Sequence, residues 1–484
     1  MTRVMSFDSA RRRAVKARYD VAQTTPDNAR YWAWADALSA DAAMLPDVRK
    51  TLRDRSRYEA ANNSYAAGTI DTLAGDAIGT GPRLQVTGLD VTDAQEVERA
   101  FSEWSDSIGL AEKLNVMRRA KITDGETFAI LTANPRLYGP IRLDIVVVEA
   151  DRVCSPNYTM DASDIDGVEI DALGYPVRYQ FLKSHPGGVC PGVFTKSDYY
   201  TLPAERVIHW FKKYRPEQHR GIPELVPALS LFAKLRRFTD AVTASAETAA
   251  DFAVLLKSDA PASVTDDDDY GASQIDLPQP LIDEVPIEKR TGTVLPAGWD
   301  ATQMRAEQPC STYAEFKREL LAEIGRCLCV PVNVITGDSS KHNYASGRLD
   351  HQVYHRAIRL EQKSCERTVL APLIRAWLAE YNLQARMAGR LEVPAEARLA
   401  WYWDGFEHVD PQKVANAQQT LLACGLTSMT RELAKQGVDI EEHLATLAYE
   451  KKLKEQYGLS FPAESGGVQT ANDTTEGDSD EQRQ

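Results

Sequence analysis

Two histidines spaced four residues apart are the first pair in the sequence that could do chemistry. His351 and His355 would share one face of a helix, which is the spacing of a metal-binding pair. A zinc protease of that type has a glutamate where this chain has Gln352, and the sequence offers no obvious third ligand. We therefore interpret both as helix-surface histidines near Arg348 and Arg356, and we predict no metal site and no cofactor.

The other candidate patterns do not make an active site. Gly79-Thr-Gly81 resembles a phosphate loop, but it follows a predicted helix and lacks the Gly-Lys-Ser/Thr of a P-loop, so we interpret it as a turn. Asp266–Asp269 lacks the alternating ligand spacing of an EF-hand, which favours a solvated loop. Asp124 and Glu126 are too ordinary a pair to indicate catalysis. The sequence thus predicts no catalytic residues and a protein that is not an enzyme.

Composition excludes several classes of protein. The chain has 484 residues, enough for more than one domain, and its 56 basic and 70 acidic side chains give a net charge of −14. Proteins that bind nucleic acid sequence-specifically are usually basic, because phosphate contacts supply much of their affinity. No run approaches the roughly 18 consecutive apolar residues that span a bilayer, so we expect no membrane partner. The 7 scattered cysteines favour reduced thiols over a disulfide framework.

The chain is organised around one helix, a long polar loop and a second, longer helix. The first helix should begin at the capping pair Thr312 and Glu315 and end before Pro331, which lacks an N–H. The segment 331–347 is polar and short of hydrophobic anchors, and loops of this length in compact domains are usually functional or disordered. Apolar residues then resume at helical spacing, in a helix that we expect to bend at Pro372.

The remaining pattern predicts a helix-rich α+β protein. Helical spacing occurs at 46–78, 92–123, 224–252, 411–424, 428–436 and 439–456. β-Branched and aromatic runs predict strands at 127–131, 141–149, 177–182, 206–211 and 399–403. His209 falls within a strand, so we interpret it as a structural histidine. Residues 253–310 should form a small module with a strand at 252–256 and a hairpin near Trp299. The basic and aromatic residues of 1–45 fit an arm that docks on a partner through its aromatics or touches nucleic acid through its arginines. We favour the alternative of a solvated helix face with a few core aromatics.

A series of short segments connects the chain to a known family. They are Tyr19-Asp-Val-Ala-Gln23, Ala37-Leu-Ser-Ala-Asp41, Arg57-Tyr-Glu59, Asn62-Asn-Ser-Tyr65, Gly79-Thr-Gly-Pro-Arg-Leu84, His219-Arg-Gly-Ile-Pro-Glu-Leu225, Tyr313-Ala-Glu-Phe-Lys-Arg318, Asn343-Tyr-Ala-Ser-Gly-Arg-Leu-Asp-His351 and Val409-Asp-Pro411. In this order they resemble the lambda-type portal proteins of tailed bacteriophages, over almost the whole chain. The chain departs from the family at Ser340-Lys-His-Asn-Tyr344, where Ser-Gly-Tyr-Asn-Tyr is common, and so gains a positive charge.

The resemblance implies the portal fold, in which wing, stem, clip and crown regions surround a central channel in a ring. The boundaries it implies are an N-terminal arm at 1–45, the wing at 46–222, a stem helix at 223–252, the clip at 253–310, a second stem helix at 311–330, the tunnel loop at 331–346, a long wing helix and returning strand at 347–410, a helical crown at 411–460 and a disordered acidic tail at 461–484.

The resemblance also implies a function. Twelve copies would form a ring at one capsid vertex, through which double-stranded DNA is packaged and ejected. The partners it implies are the terminase large subunit, the major capsid and scaffold proteins, and then the head-completion or connector proteins. The protein would belong to the virion and pass through the host cytoplasm during assembly.

The groups expected to contact DNA follow from charge. An acidic ring repels DNA from most of its surface and confines attraction to a few groups. We expect those groups to be Lys341, His342, Asn343 and Tyr344 in the loop, with Lys234, Arg236 and Arg237 in the stem. The first alternative is a capsid or connector component that assembles without conducting DNA, and the second is a monomeric enzyme.

Overall fold

The computed structural model describes residues 26, 29–33, 35–156, 163–188, 194–251, 255–258, 299–302, 310–340, 344–390, 392–394, 396–406, 411–435, 438 and 440–458. Predictions for the basic N-terminal run, for Asp266–Asp269 and for the tail from 461 fall outside these residues. The chain divides into two compact units. The first comprises Met1–Lys50, Leu73–Ile222 and Ile358–Gln484, and the second comprises Thr51–Thr72 and Pro223–Ala357.

Helices predominate, and the fold is the expected helix-rich α+β class. The helices are α1 Pro46–Asn62, α2 Ser64–Ile78, α3 Val91–Ile108, α4 Leu110–Thr123, α5 Val226–Asp251, α6 Cys310–Leu328, α7 Val332–Thr336, α8 Tyr344–Cys365, α9 Ala371–Ala388, α10 Pro411–Ala423, α11 Met429–Lys435 and α12 Ile440–Tyr457. Within the described ranges, none of these is both long enough and apolar enough to cross a membrane.

The strands are short and pair antiparallel. They are β1 Arg83–Thr87, β2 Glu126–Ala133, β3 Leu143–Val148, β4 Val168–Ile170, β5 Pro176–Leu182, β6 Tyr199–Pro203, β7 Val207–Phe211, β8 Leu255–Ser258, β9 Trp299–Thr302 and β10 Arg398–Tyr402. Their sheets have the orders β3-β2-β7, β4-β5-β6, β1-β10 and β8-β9. The strands predicted at 127–131, 141–149, 177–182, 206–211 and 399–403 are confirmed, whereas β1, β4 and β6 were not predicted. The strand predicted at 252–256 is described only from Leu255, and most of the hairpin predicted near Trp299 lies outside the described residues. The β8-β9 pair lies within the predicted 253–310 module.

Two apolar clusters form the core of the first unit. One packs β2 and β3 against β4 and β5, with Phe128 and Phe181 fully buried at its centre. The other is aromatic: Phe101 on α3 lies within 5.4 Å, between ring centroids, of Trp104, Trp377 and Trp401. α3 supplies this cluster because its buried residues recur every three or four positions, so they share one face of the helix.

Two of the predicted helices contain an irregularity. The helix expected at 46–78 is broken at Asn63, whose side-chain Oδ1 accepts the backbone N–H of Tyr65 at 3.1 Å and so caps α2. The expected bend at Pro372 is preceded by a π-helical turn, Glu366–Leu370, and Pro372 falls in the first turn of α9. A wide turn there accommodates the ring and the missing N–H of the proline.

The second unit contains the helix pair α5 and α6. Phe238 on α5 packs on Tyr313 and Phe316 of α6, with ring centroids 5.7 Å and 4.5 Å away. α6 ends in a tight reversal, because the Val330 N–H donates to the Gly325 carbonyl at 2.9 Å and a Cβ on Gly325 would lie 2.6 Å from the Val330 carbonyl oxygen. The predicted loop that follows is shorter than expected, since it begins with α7, which buries Ile335.

Candidate functional site

The three basic residues predicted to line the stem do not behave alike. Lys234 and Arg237 are exposed on α5, and neither forms an ion pair with another described residue. Arg236 instead contacts α1: its Nη1 donates to the Glu59 carboxylate at 3.0 Å, and its guanidinium lies 5.0 Å from the ring centroid of Tyr58. Arg236 therefore holds α1 against α5, whereas Lys234 and Arg237 remain unpaired within the described part of the chain, and DNA contact by all three stays a prediction.

The predicted DNA-contacting loop is described only at its ends. Lys341, His342 and Asn343 lie outside the described residues, and Tyr344 begins α8. On the other side, the Ser340 N–H donates to the Asp338 carboxylate at 2.9 Å in a local turn. These three loop residues and Tyr344 stay predictions as DNA contacts.

The histidine pair on α8 lies where the helical spacing places it. The rings of His351 and His355 are 5.7 Å apart between centroids. The side-chain amide of Asn333 on α7 donates to Nε2 of His351 at 2.9 Å, which occupies that ring nitrogen. The contact joins α7 to α8 across the two sides of the loop, so His351 has a structural role there.

A different histidine lies among carboxylates. Nε2 of His185 is 3.0 Å from Glu149 and 3.7 Å from Asp151, a cluster that the sequence analysis missed because Glu-x-Asp is common and the histidine is distant in sequence. Nδ1 of the same ring accepts the Gly187 N–H at 3.0 Å. Although Nε2 lies near both carboxylates, it is buried and has no hydrogen-bond partner of suitable geometry among the described residues. The three side chains therefore form a close polar cluster in which the Glu149 carboxylate remains exposed to solvent.

The densest polar arrangement in the described residues is a set of buried charges in the first unit. We call Arg49, Glu126, Asp166, His209 and Arg220 the buried ionic junction. They come from the start of α1, from β2, from the loop before β4, from β7 and from the segment before α5. The two arginines balance the two carboxylates, which is the condition under which buried charges are tolerated.

Glu126 is the centre of the junction. Its carboxylate accepts hydrogen bonds from Arg220 Nη2 at 2.7 Å, Arg49 Nη1 at 3.2 Å and the backbone N–H of Gly221 at 2.8 Å. Burial raises the pKa of Glu126, but the Arg220 charge and the hydrogen bonds from His209 and Arg220 outweigh it and hold this pKa well below its usual value. The junction therefore favours the charged carboxylate form of Glu126.

His209 is neutral in this arrangement, and its tautomer is fixed. Burial lowers the pKa of His209 more than the neighbouring Glu126 raises it. Because Glu126 only accepts, Nε2–H of His209 donates to it at 3.1 Å, and Nδ1 accepts the hydroxyl of Tyr179 at 3.4 Å. The ring also stacks on Phe128 with 4.2 Å between centroids. The prediction of a structural histidine is confirmed.

Other residues of the sequence segments named above also contact one another. Asp41 accepts the backbone N–H of His219 at 3.0 Å and contacts its Nδ1 at 2.7 Å. Gly79 and Gly81 have positive φ in a turn whose Thr80 N–H donates to the Asp404 carboxylate at 2.6 Å, so the turn interpretation is confirmed. The described parts of these segments therefore supply contacts that hold the sheets and helices of the first unit together.

Comparisons with known proteins give the same family. A family model described as "Phage portal protein, lambda family" matches residues 25–362. Portal protein B of Escherichia phage lambda is 23% identical over 472 residues, covering 88% of this chain and 87% of that protein. The portal protein of Escherichia phage N15 is 23% identical over 477 residues, covering 88% of each chain.

Among solved structures, one titled "Neck of empty GTA particle computed with C6 symmetry" aligns with a TM-score of 0.44 at 16% identity, over 81% of this chain and 93% of that one. A crystal structure of an HK97 family phage portal protein from Corynebacterium diphtheriae aligns with a TM-score of 0.28 at 12% identity, over 74% and 96%. Because the family model covers well over half of the sequence, this chain belongs to the lambda family of phage portal proteins.

Proposed function

We propose that this portal protein assembles into a ring of twelve copies at one capsid vertex and conducts double-stranded DNA during packaging and ejection. Family membership is the observation that carries the proposal, because the family is defined by this structural role. The partners proposed on the same basis are the terminase large subunit, the major capsid and scaffold proteins, and the head-completion proteins. The ring would assemble in the host cytoplasm and remain in the virion.

The proposed map assigns helices to regions of the ring. α5 and α6 would be the stem, β8 and β9 part of the clip, residues 331–346 the tunnel loop, and α10–α12 the crown. The helix pair α5 and α6 supports the stem assignment, since both helices pack tightly through aromatic rings while leaving exposed faces for neighbouring copies.

DNA contact is proposed for the loop residues Lys341, His342, Asn343 and Tyr344 and for the exposed stem residues Lys234 and Arg237. The net charge of −14 per chain supports this selectivity, because a strongly acidic ring repels phosphates except near isolated cations. Few phosphate contacts also keep the bound DNA able to move, since each contact adds affinity.

Native mass spectrometry and imaging along the particle axis test the proposal. Twelve copies of the 53.7 kDa chain give a mass of about 640 kDa and a ring with an open centre. A folded protein that stays monomeric under assembly conditions would contradict it. Lys341→Ala should form rings but change DNA retention in virions. Rings whose loop variants all package and retain DNA normally would instead favour a connector that does not conduct DNA.

A further inference from the structure

Helix α8 has two apolar faces, and the described residues of the chain cover only one of them. Tyr354, Ile358 and Cys365 are buried on one side. On the opposite side Leu349, Val353 and Leu360 are exposed, with 64%, 51% and 67% of their surface accessible. A helix that only completes its own core needs a single apolar stripe, so the second stripe indicates a further partner.

The charges beside this second stripe are basic. Arg348, Arg356 and Arg359 are exposed near it, and none of the three forms an ion pair with another described residue. Asp350 is exposed at the far edge of the stripe. We call the exposed side of α8 that carries Leu349, Val353, Leu360 and these arginines the basic face. A partner for it needs apolar contact surface and negative charge together.

Helix α6 carries a complementary surface. Its buried side contains Leu321 and Ile324, and its opposite side carries Glu315, Glu319 and Glu323. These three are exposed, recur every fourth residue and so align along the helix, and none pairs with another described residue. Beside them the Phe316 ring is 47% exposed, and Arg326 lies at the C-terminal end. We call this side of α6 the acidic face.

We propose that the basic face of α8 in one copy packs against the acidic face of α6 in the next copy of the ring. A closed ring needs a heterologous interface, in which every copy presents two different and mutually complementary surfaces. The basic and acidic faces meet that requirement, with Phe316 facing the exposed leucines and the glutamates facing the arginines. This inference rests on the ring proposed above and specifies which surfaces hold it together.

DNA is the other ligand that a basic helix face could bind. Phosphate backbone contacts require cations but gain nothing from apolar side chains, whereas protein interfaces combine an apolar centre with a charged rim. Leucine and valine at the centre of the stripe, with arginines beside them, match the second arrangement. The basic face therefore fits a protein surface better than it fits a duplex.

Charge reversal on each face provides the test. The acidic-face variant is Glu319→Arg with Glu323→Arg, and the basic-face variant is Arg356→Glu with Arg359→Glu. Each variant alone should lower the yield of rings at least about tenfold at 0.15 M salt, because like charges then face each other in every interface. All four side chains are exposed, so the unassembled variants should unfold within about 0.5 kcal/mol of the wild type.

Mixing the two variants distinguishes this interface from any other. In a ring that alternates the two variants, reversed arginines meet reversed glutamates at one interface and the native faces meet at the next. The mixture should therefore recover rings that contain equal numbers of the two variants, so the total number of subunits in each ring should be even. Glu103→Arg with Glu205→Arg is the matched control, since it reverses two exposed glutamates outside these faces and should leave ring yield unchanged.

Several results would overturn the inference. Wild-type ring yield in either reversed variant would do so, as would a mixture of folded variants that forms no rings. Normal rings with weakened DNA retention in the basic-face variant would assign that face to DNA. Failure of the wild-type chain itself to form rings would instead refute the proposed function, and the inference with it.

Discussion

Removing the charge of Glu126 should destabilise the first unit strongly. In Glu126→Gln the junction keeps both buried arginines, Arg49 and Arg220, but only one of its two carboxylates, Asp166, so its charges no longer balance. The side-chain NH2 of the new glutamine would also face hydrogen-bond donors that now bind the carboxylate, including the N–H of Gly221, so donor would meet donor. Breaking a buried ion pair from one side typically costs about 3–5 kcal/mol, and we expect a loss in that range.

Urea unfolding of dilute, unassembled protein measures this loss as a change in the free energy of unfolding. Glu103→Gln is the matched control, because Glu103 is exposed on α3 and its loss should cost no more than about 0.5 kcal/mol. A cost below about 1 kcal/mol for Glu126→Gln would refute the reasoning, since it would mean that the junction relaxes or admits water without penalty.

The other predictions concern the same framework. Folding lowers the pKa of His209 below its ordinary value of 6.5, so as pH falls His209 is protonated in the unfolded chain before it is protonated in the folded one. The free energy of unfolding should therefore decrease as pH drops below 6.5. Urea unfolding at several pH values should show a smaller decrease in His209→Gln. Gly221→Ala would place Cβ 2.2 Å from the Gly125 carbonyl oxygen and should cost about 2–3 kcal/mol on urea unfolding. The pair of Arg236 and Glu59 is partly exposed, so a double-mutant cycle should give a coupling of about 0.5–1 kcal/mol.

Each has a result that would contradict it. Equal pH dependence in the wild type and in His209→Gln would assign the acid sensitivity to other groups. Gly68→Ala, in helix α2 with nothing within 4 Å of the new Cβ, is the control for Gly221→Ala and should be neutral or stabilising. If both glycine substitutions behave alike, close packing is not the cause. A coupling near zero would mean that Arg236 is free for DNA contact after all.

Periodicity predicted the long elements because their residues carry the signal locally. The helix predicted at 224–252 occupies Val226–Asp251, and the one predicted after Thr312 begins two residues earlier, at Cys310. The long loop was partly wrong, since β-branched residues after Pro331 concealed the short helix α7 that Ile335 anchors. β1 was missed because its five residues pair with β10 more than 300 positions along the chain.

The buried ionic junction could not be predicted for a similar reason. The partners of Glu126 lie at positions 49, 209 and 220, and no local spacing connects them. The candidate DNA contacts were selected by charge alone, which cannot separate Arg236, held by Glu59, from the exposed Lys234. The segments that carry the family resemblance include Arg220 and Glu59 but not Glu126, so they pointed to single members of these contacts and not to the pairs.

The π-helical turn at Glu366–Leu370 changes how this protein should tolerate a change in length. Each α-helical residue advances the direction of the side chain by about 100°, so losing one residue normally turns every later side chain to a different side. A π-helical turn holds one residue more than an α-helical turn, and it keeps Leu373 and Trp377 buried on the same side as Ile358. Deleting the exposed Arg367 would therefore convert the turn to a regular α-helix and preserve the aromatic cluster around Trp377. Loss of cooperative unfolding in this deletion variant would contradict that view. If unfolding stays cooperative, this turn is a place where the gene can lose one codon without rebuilding the core.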